Sequence, residues 1–428
     1  MKRLLVTLSC ATIVLTVAAQ SAREEIQADP SLAAGKYYAY QAPDVPEIKA
    51  PKGYKPFYIS VFARHGSRYL TDQEKYDEPL KTLMEADEEG VLTPDGKRAL
   101  KVVAGLRQEA EGRYGELTPK GAEQHRGLVR RMFERYPEVF ADGTHVDARS
   151  TYKTRAFLSM AAACVELKGL NPELNITTQT SEHDAYYIKY KNPLFEAMHL
   201  DRIDAAYRAA DSAYVHPDRL MAQLFGDSAY VAAHIKATEL MASLFELHGI
   251  SQSSYGQPDL AFLFTDEELY DLWQRNNFEW YYEKGPSPLS DGCMYTLERN
   301  LLENFVTTAD TVIASGRTAA TLRYGHDTNL APLATLMGMN RLQTATTDWQ
   351  GIADSYRTYR LIPMCGNVQL VFFRKTGSDD LLVLPLLNER TATLPVETDA
   401  APFYHWADVR AYWMQTVEDI TLPESVEP

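Results

Sequence analysis

Cysteine is scarce in this 428-residue chain, which holds only four. Cys10 falls inside an N-terminal apolar run, and Cys164, Cys293 and Cys365 show neither CxxC nor Cys/His zinc spacing. At most one intrachain disulfide can form among these three, which excludes a disulfide-stapled scaffold and a zinc ribbon. Positive charge is also in deficit: 43 Lys plus Arg stand against 58 Asp plus Glu, a formal charge of −15. Such a surface repels polyanions, so a nucleic-acid partner is not expected, and an anionic ligand must be drawn in by a local cationic pocket. Internal repeats, low-complexity tracts and long apolar runs beyond the N-terminus are missing too. What remains is an ordinary globular mixture, 45% hydrophobic, 11% aromatic and 24% charged, with length for about two to three domain equivalents.

At the N-terminus Lys2 and Arg3 precede an apolar run from Leu4 to Ala19, with Ala18 and Ala19 before Gln20. The run is shorter than the ~20 residues of a spanning helix and its flanks suit cleavage. Residues 1–19 are therefore expected to be an export signal, cut after Ala19. The cut removes two cations and no anion, taking the charge from −15 to −17. The expected destination is periplasm, cell surface or medium, with no membrane insertion after cleavage.

Residues 23 to 55 are polar and Pro-containing, and read as a tail that wraps onto the domain. Phe57 to Ala63 then form a dense aromatic and β-branched run that suits a strand buried on both faces. Thr118 and Pro119 open a helical pattern whose Ala122, His125, Val129, Met132 and Tyr136 share one face, so His125 points inward. Between about 187 and 309 the chain turns strongly helical. Tyr230, Ala233, Ala237, Met241, Leu244 and His248 keep a 3.6-residue register with Gly249 as a stop, and Thr265 to Glu268 is a capping box. Ala319 to Tyr324 reads as a second buried strand, followed by a short helix from about Thr328 to Gly338. Val368 to Phe373 and Leu381 to Leu386 are further strands. The pattern predicts an α/β fold: a central, mostly parallel sheet flanked by helices, with an inserted all-α cap. The expected boundaries are 20–186 and 310–428 for the core and 187–309 for the cap.

Both buried strands run directly into histidines. Arg64-His65-Gly66-Ser67-Arg68 follows the first, and Gly325-His326-Asp327 the second. In open α/β sheets ligands bind in the crevice outside the carboxyl ends of the strands. Two guanidinium groups around one imidazole cost free energy to desolvate without an anion, and arginine's planar fork suits phosphate oxygens. Gly66 lets a ligand approach the backbone. The helix beginning near Thr328 points its N-terminal amides at an anion held by His326. A second His-Asp pair, His183-Asp184, has no strand-to-helix turn around it and carries no such weight.

On these residues the chain resembles the histidine acid phosphatase family. The family's nucleophile motif matches Arg64 to Arg68, and its His-Asp proton-donor motif matches Gly325 to Thr328. Leu117-Thr118-Pro119-Lys120-Gly121 with Gln124-His125 looks like the family's Leu-Thr-Pro-x-Gly helix. Ser150 to Arg155 with Ser159 resembles the segment that supplies a further phosphate-binding arginine, carried to Arg155 with Arg149 as the competing candidate. Tyr69, Leu263-Phe264-Thr265, Glu268-Leu269, the Tyr281 to Gly285 run, Leu336-Met337-Gly338 and Leu386 to Glu389 resemble the multiple inositol polyphosphate phosphatase branch. Three positions depart from it: His326-Asp327-Thr328 replaces His-Ala-Glu, Leu70 stands where proline is usual, and Asp72 falls where some phytases place a lysine.

The resemblance implies a phosphomonoesterase, with inositol polyphosphates or phytate as the leading substrate class. The alternative is a broad acid phosphatase acting on sugar phosphates and other small esters, and the non-catalytic alternative is a phosphate-ligand binding protein. It also implies His65 as nucleophile and Asp327 as proton donor, with Arg64, Arg68, Arg155 and His326 binding the phosphate. Lys75, Lys153 and Arg323 are further candidate pocket cations. No metal or other cofactor is expected. The expected partner is a small-molecule phosphate ester, and the protein is expected to be a monomer or weak oligomer.

Overall fold

The computed structural model describes residues 20–46, 48–188, 201–256 and 259–421. The expected leader at 1–19 and the start of the expected cap at 189–200 lie outside them. β1 (Tyr54–Arg64), β2 (His145–Ser150), β3 (Asn175–Gln179) and β4 (Ala319–Gly325) form the parallel half of one mixed sheet. β5 (Asn367–Lys375), β6 (Leu381–Leu387), β7 (Arg390–Thr391) and β8 (Tyr404–His405) form its antiparallel half. The order is β3-β2-β4-β1-β5-β6-β7, with β8 also on β6. The parallel sheet read from the sequence is thus the half that carries the strand-end histidines.

Alternation along β1 sorts its side chains to two buried faces. Ile59, Val61 and Ala63 pack with Leu128, Val129 and Met132 of the helix Pro119–Arg135 and with Met160, Ala163 and Leu167 of the helix Thr154–Leu170. Tyr58 and Phe62 face Phe305, Leu330 and Trp413, from the helices Arg299–Ser315, Asp327–Leu336 and Trp406–Asp419. A strand clothed on both faces needs no polar alternation, which is why the run read as buried.

A third cluster joins residues inside the expected cap range of 187–309 to residues outside it. Leu220, Met241, Leu244 and Trp273 share one apolar core with Tyr76, Leu83, Ala99 and Val103, and with Ile26 and Tyr37 from the N-terminal segment. The helix Arg299–Ser315 packs instead on the sheet. The helices Glu74–Glu88 and Pro94–Glu109 contribute to this core, while Ala210 and Phe278 from the range 187–309 pack with the sheet.

Local signals resolved unevenly. Thr118 caps its helix by accepting from Gly121 N at 3.2 Å, and Thr265 and Glu268 form the reciprocal capping box. The register from Tyr230 to His248 spans two helices, Ser228–His234 and Ala237–Ser251, because Ile235 and Lys236 leave the helical conformation. Gly249 stays inside the second and does not stop it. The tail does more than wrap: Ser21 caps the helix Ala22–Ala28, whose Glu25 is buried on Arg357 and Tyr359. Cys164, Cys293 and Cys365 are all free thiols. No helix among the described residues is long and apolar enough to cross a membrane.

Candidate active site

Register explains how distant motifs meet. Arg64 on β1 pairs with Gly325 on β4, and Tyr324 pairs with Ser150 on β2. Three adjacent parallel strands therefore end at one level and release Arg64-His65, His326-Asp327 and Thr151 into one crevice. Short backbone bonds pin these ends: His65 N to Gly325 O at 2.9 Å, Thr151 N to Tyr324 O at 3.1 Å and Arg64 N to Gly366 O at 2.8 Å. The His65 and His326 rings meet edge to face, 5.4 Å between centroids.

The turn after β1 lies against the start of the helix Pro119–Arg135 with no room for side chains. A methyl group on Gly66 would stand 2.4 Å from Gly121 O, and one on Gly121 would stand 2.2 Å from Ser67 O. This contact gives the Leu-Thr-Pro-x-Gly helix its role. Gln124 Oε1 accepts from Ser67 N at 2.8 Å and Thr118 Oγ1 donates to Ser67 O at 3.1 Å, holding the loop between Arg64 and Arg68. Gly66 N donates to Ser159 Oγ at 3.1 Å, which ties the loop to the helix that carries Arg155 in its first turn.

His65 is buried, and its Nδ1 lies 2.9 Å from Gly66 O. That carbonyl only accepts, so the proton resides on Nδ1 and Nε2 carries the lone pair. Burial first, then the charges of Arg64, Arg155, His326 and Arg68, hold the His65 pKa well below its ordinary value. His326 is depressed in the same way, by burial and then by Arg155, and its Nε2 lies 2.9 Å from Thr151 Oγ1.

Arg64 is fully buried. Its Nη1 donates to Lys36 O and Ile362 O, both at 2.5 Å, and its Nη2 stands 2.6 Å from Asp327 Oδ2. Burial lowers its pKa to about 10, still leaving it charged at neutral pH. Neither Arg64 Nε nor Arg68 Nε has a hydrogen-bond acceptor. Buried donors of this kind cost about 1–3 kcal/mol each until an acceptor arrives. Asp327 feels opposing effects. Burial pushes its carboxyl up, but Arg64, Lys36, Arg68 and His326 together hold it down at about 2.

The structure brings together His65, Asp327, Arg64, Arg68, Arg155 and His326, all six residues carried from the sequence. Between the two arginine candidates it separates sharply. Arg149 is bound to Asp147 at 3.0 Å and to Asp184 O at 2.6 Å, whereas Arg155 acts on both histidines. Arg323 is taken up by packing: it donates to Asn304 Oδ1 and Ser60 Oγ under the Phe305 ring. Lys75 pairs with Glu246 at 2.7 Å, and the Lys153 ammonium lies 5.1 Å from the Tyr152 ring. His125 is buried against Tyr324, its pKa pushed down to about 3 by burial, as an inward-facing supporting group. His183 is exposed on Asp184. Sequence reasoning missed Lys36 and Thr151. Thr151 stood inside a quoted motif, but Lys36 belongs to a tail with no periodicity to mark it.

A model of the histidine phosphatase superfamily (branch 2) matches residues 58–387, and the chain belongs to that superfamily. It is a phosphomonoester hydrolase of the histidine type. The chain is similar to multiple inositol polyphosphate phosphatase 1 of Gallus gallus, 22% identical over 409 residues that cover 90% of this chain and 87% of that protein. Among solved structures it shares its fold with the Bifidobacterium longum multiple inositol polyphosphate phosphatase in complex with phosphate. That match has a TM-score of 0.74 at 20% identity and covers 92% of this chain and 100% of that one. The phytase from D. castellii follows at a TM-score of 0.63 and 13% identity, covering 91% and 85%.

Proposed function

We propose that this protein is an exported phosphatase that removes phosphate from inositol polyphosphates through a phosphohistidine intermediate. The observation that carries the reading is the neutral imidazole of His65, its Nδ1 fixed on Gly66 O, set among Arg64, Arg68 and Arg155 with His326 at its edge. A phosphate monoester is a dianion that repels nucleophiles, so cations must gather on its nonbridging oxygens before attack. Arg64, Arg68, Arg155 and His326 take that role.

His65 Nε2 donates its lone pair to phosphorus as the ester P–O bond breaks, and Asp327 delivers its proton to the departing alkoxide. In the second step the Asp327 carboxylate takes a proton from water, the hydroxide oxygen bonds to phosphorus, and the N–P electron pair returns to His65. The free enzyme holds Asp327 ionised, near 2. A bound phosphate dianion offsets the cations responsible and raises the carboxyl, so the substrate itself helps to prepare the acid.

The inositol polyphosphate preference is supported by the two named multiple inositol polyphosphate phosphatases and by Lys36, whose charge reaches Asp327 together with those of Arg64 and Arg68. Export is supported by the apolar run at residues 4–19 and by the Ser21-capped helix just after the expected cut. N-terminal sequencing of the protein recovered outside the cytoplasm tests that part.

Phosphate release in EDTA, with phytate beside glycerol 2-phosphate, for wild type and His65→Ala, tests the chemistry. Release from phytate that is lost in the variant is the expected result. Release only from the simple ester moves the assignment to a broad acid phosphatase. A folded wild type inert on both overturns the mechanism in favour of a binding protein.

A further inference from the structure

Lys36 stands apart from the other cations of the pocket. It comes from the N-terminal segment Pro30–Tyr37, and its own carbonyl accepts from Arg64 Nη1 at 2.5 Å. The backbone of Lys36 is therefore part of the wall that holds the phosphate-binding arginine. Its ammonium lies 5.3 Å from the Tyr37 ring centroid and 5.5 Å from that of Trp280. Its charge helps to hold down two carboxyls, Asp327, which lies 2.6 Å from Nη2 of the same Arg64, and Glu246. Glu246 already holds Lys75 Nζ at 2.7 Å and Tyr37 OH at 2.5 Å. Lys284, the other nearby ammonium, is surrounded by Glu283, Glu298 and Glu279 as well as Asp327. Lys36 is thus the cation of the rim least committed to a carboxylate of its own, and it neighbours the acid.

We propose that Lys36 is a substrate-discriminating residue: it binds a second phosphate of the substrate and, in doing so, releases Asp327 to take up the proton it must deliver. The inference rests on the phosphatase reading above. Five cations face Asp327: Arg64 at the end of β1, Arg68 in the next loop, Lys36 from the N-terminal segment, Lys284 at the end of the helix Asp266–Lys284, and His326 when protonated. The scissile phosphate engages the arginines in every substrate. Lys36 differs because a lone phosphate group leaves its charge directed at Asp327, which keeps the carboxyl ionised and idle as an acid. A substrate carrying a neighbouring phosphate draws the ammonium to itself and weakens that hold. Substrates with several phosphates then gain twice, in binding and in proton delivery, whereas a monophosphate gains neither.

The experiment uses the full mature chain with Lys36→Met and Lys36→Arg, on myo-inositol hexakisphosphate and on glycerol 2-phosphate. Both leave alkoxides that need a proton, so the protonation of Asp327 shows in kcat. The profile of kcat against pH is recorded from acid to neutral for each pair. In wild type the alkaline fall of kcat is expected at higher pH for the hexakisphosphate than for the monoester. In Lys36→Met the monoester limb moves up and the gap closes, while kcat/KM for the hexakisphosphate drops about tenfold to a hundredfold, the worth of one charge-assisted phosphate contact. Lys36→Arg restores part of both. The carbonyl bond to Arg64 survives every substitution at this position, and thermal melts confirm the fold.

Equal losses on the two substrates with unmoved limbs would overturn the inference and make Lys36 a merely structural residue. No change on either substrate overturns it as well. In both cases loss of activity in His65→Ala leaves the underlying reading standing, and only retained activity in that variant removes it.

Discussion

Glu389 and His65 are equally buried, both lie beside arginines, and the two surroundings are inverted. At Glu389 the buried charge is the carboxylate. Arg131 Nη2 at 2.6 Å, Arg135 Nη1 at 3.2 Å and Tyr40 OH at 2.7 Å converge on it, while both guanidiniums reach solvent. Glu25 repeats the device with Arg357, Tyr359 and Arg360. Around His65 the buried charges are cations, Arg64 at 0% exposure and Arg68 and Arg155 at 8%, with Asp327 the carboxylate paired to one of them. With both histidines neutral, three guanidiniums and one carboxylate leave two positive charges, which a phosphate dianion cancels. The structural cluster is closed by the chain itself, and the site is closed by its ligand.

The largest effects should separate the two clusters by kind. Arg68→Met removes a guanidinium that the fold uses for one hydrogen bond, Nη1 to the adjacent Tyr69 O at 2.7 Å, and whose Nε has no acceptor, so kcat/KM should fall by about 10²–10³, the usual loss of one transition-state donor. Urea unfolding should show the variant within about 1 kcal/mol of wild type, since the lost bond to Tyr69 O is offset by the removal of a buried cation. A large loss of stability would break the comparison. Glu389→Gln should behave in reverse, losing about 3 kcal/mol of stability by the same denaturation, with kcat/KM unchanged.

Asp327→Asn sharpens the contrast within the site. Turnover of an alkyl phosphate should fall about 10²–10³-fold through loss of the acid. Loss on p-nitrophenyl phosphate should be far smaller, since that leaving group departs without a proton. Equal losses on both would show that the side chain positions Arg64 and does not deliver a proton.

Much of the open cluster was legible beforehand because strand ends are local signals. A buried run followed at once by Arg-His-Gly, and another by Gly-His-Asp, point to a ligand crevice once the strands are parallel and adjacent. The choice of Arg155 over Arg149 came from the family resemblance and not from the residues themselves. It depends on Arg149 being spent on Asp147 and Asp184 O, and partners across a fold leave no mark in a sequence. The closed cluster was quoted only as the Leu386 to Glu389 resemblance. Its reason is conformational: Leu387 pairs with Arg390, so Asn388 and Glu389 form a two-residue turn with φ of 53° and 62°. That is the hairpin geometry matching the twist of the strands, and it aims a buried acid at Arg131. Lys36 was illegible for a further reason, since an irregular segment gives no period from which to infer a facing side.

The smallest expected effect lies at His405, a half-exposed closed cluster of opposite proton logic. Hydrogen bonds to Asp380 at 2.8 Å and Asp399 at 2.9 Å raise its pKa to about 8. A folded value above the unfolded value of about 6.5 contributes stability in full below that value, and the contribution is lost as pH rises through about 8. His65 and His326 have the opposite sign: their depressed pKa values support the fold above about 6.5 and weaken it as pH falls. His405→Gln should therefore lower the melting temperature at weakly acidic pH and converge with wild type on the alkaline side. Solvent screening keeps the difference under about 1 kcal/mol. A gap that stays constant with pH would mean that the ring contributes by packing, and that its two carboxylates do not hold it as a charged pair.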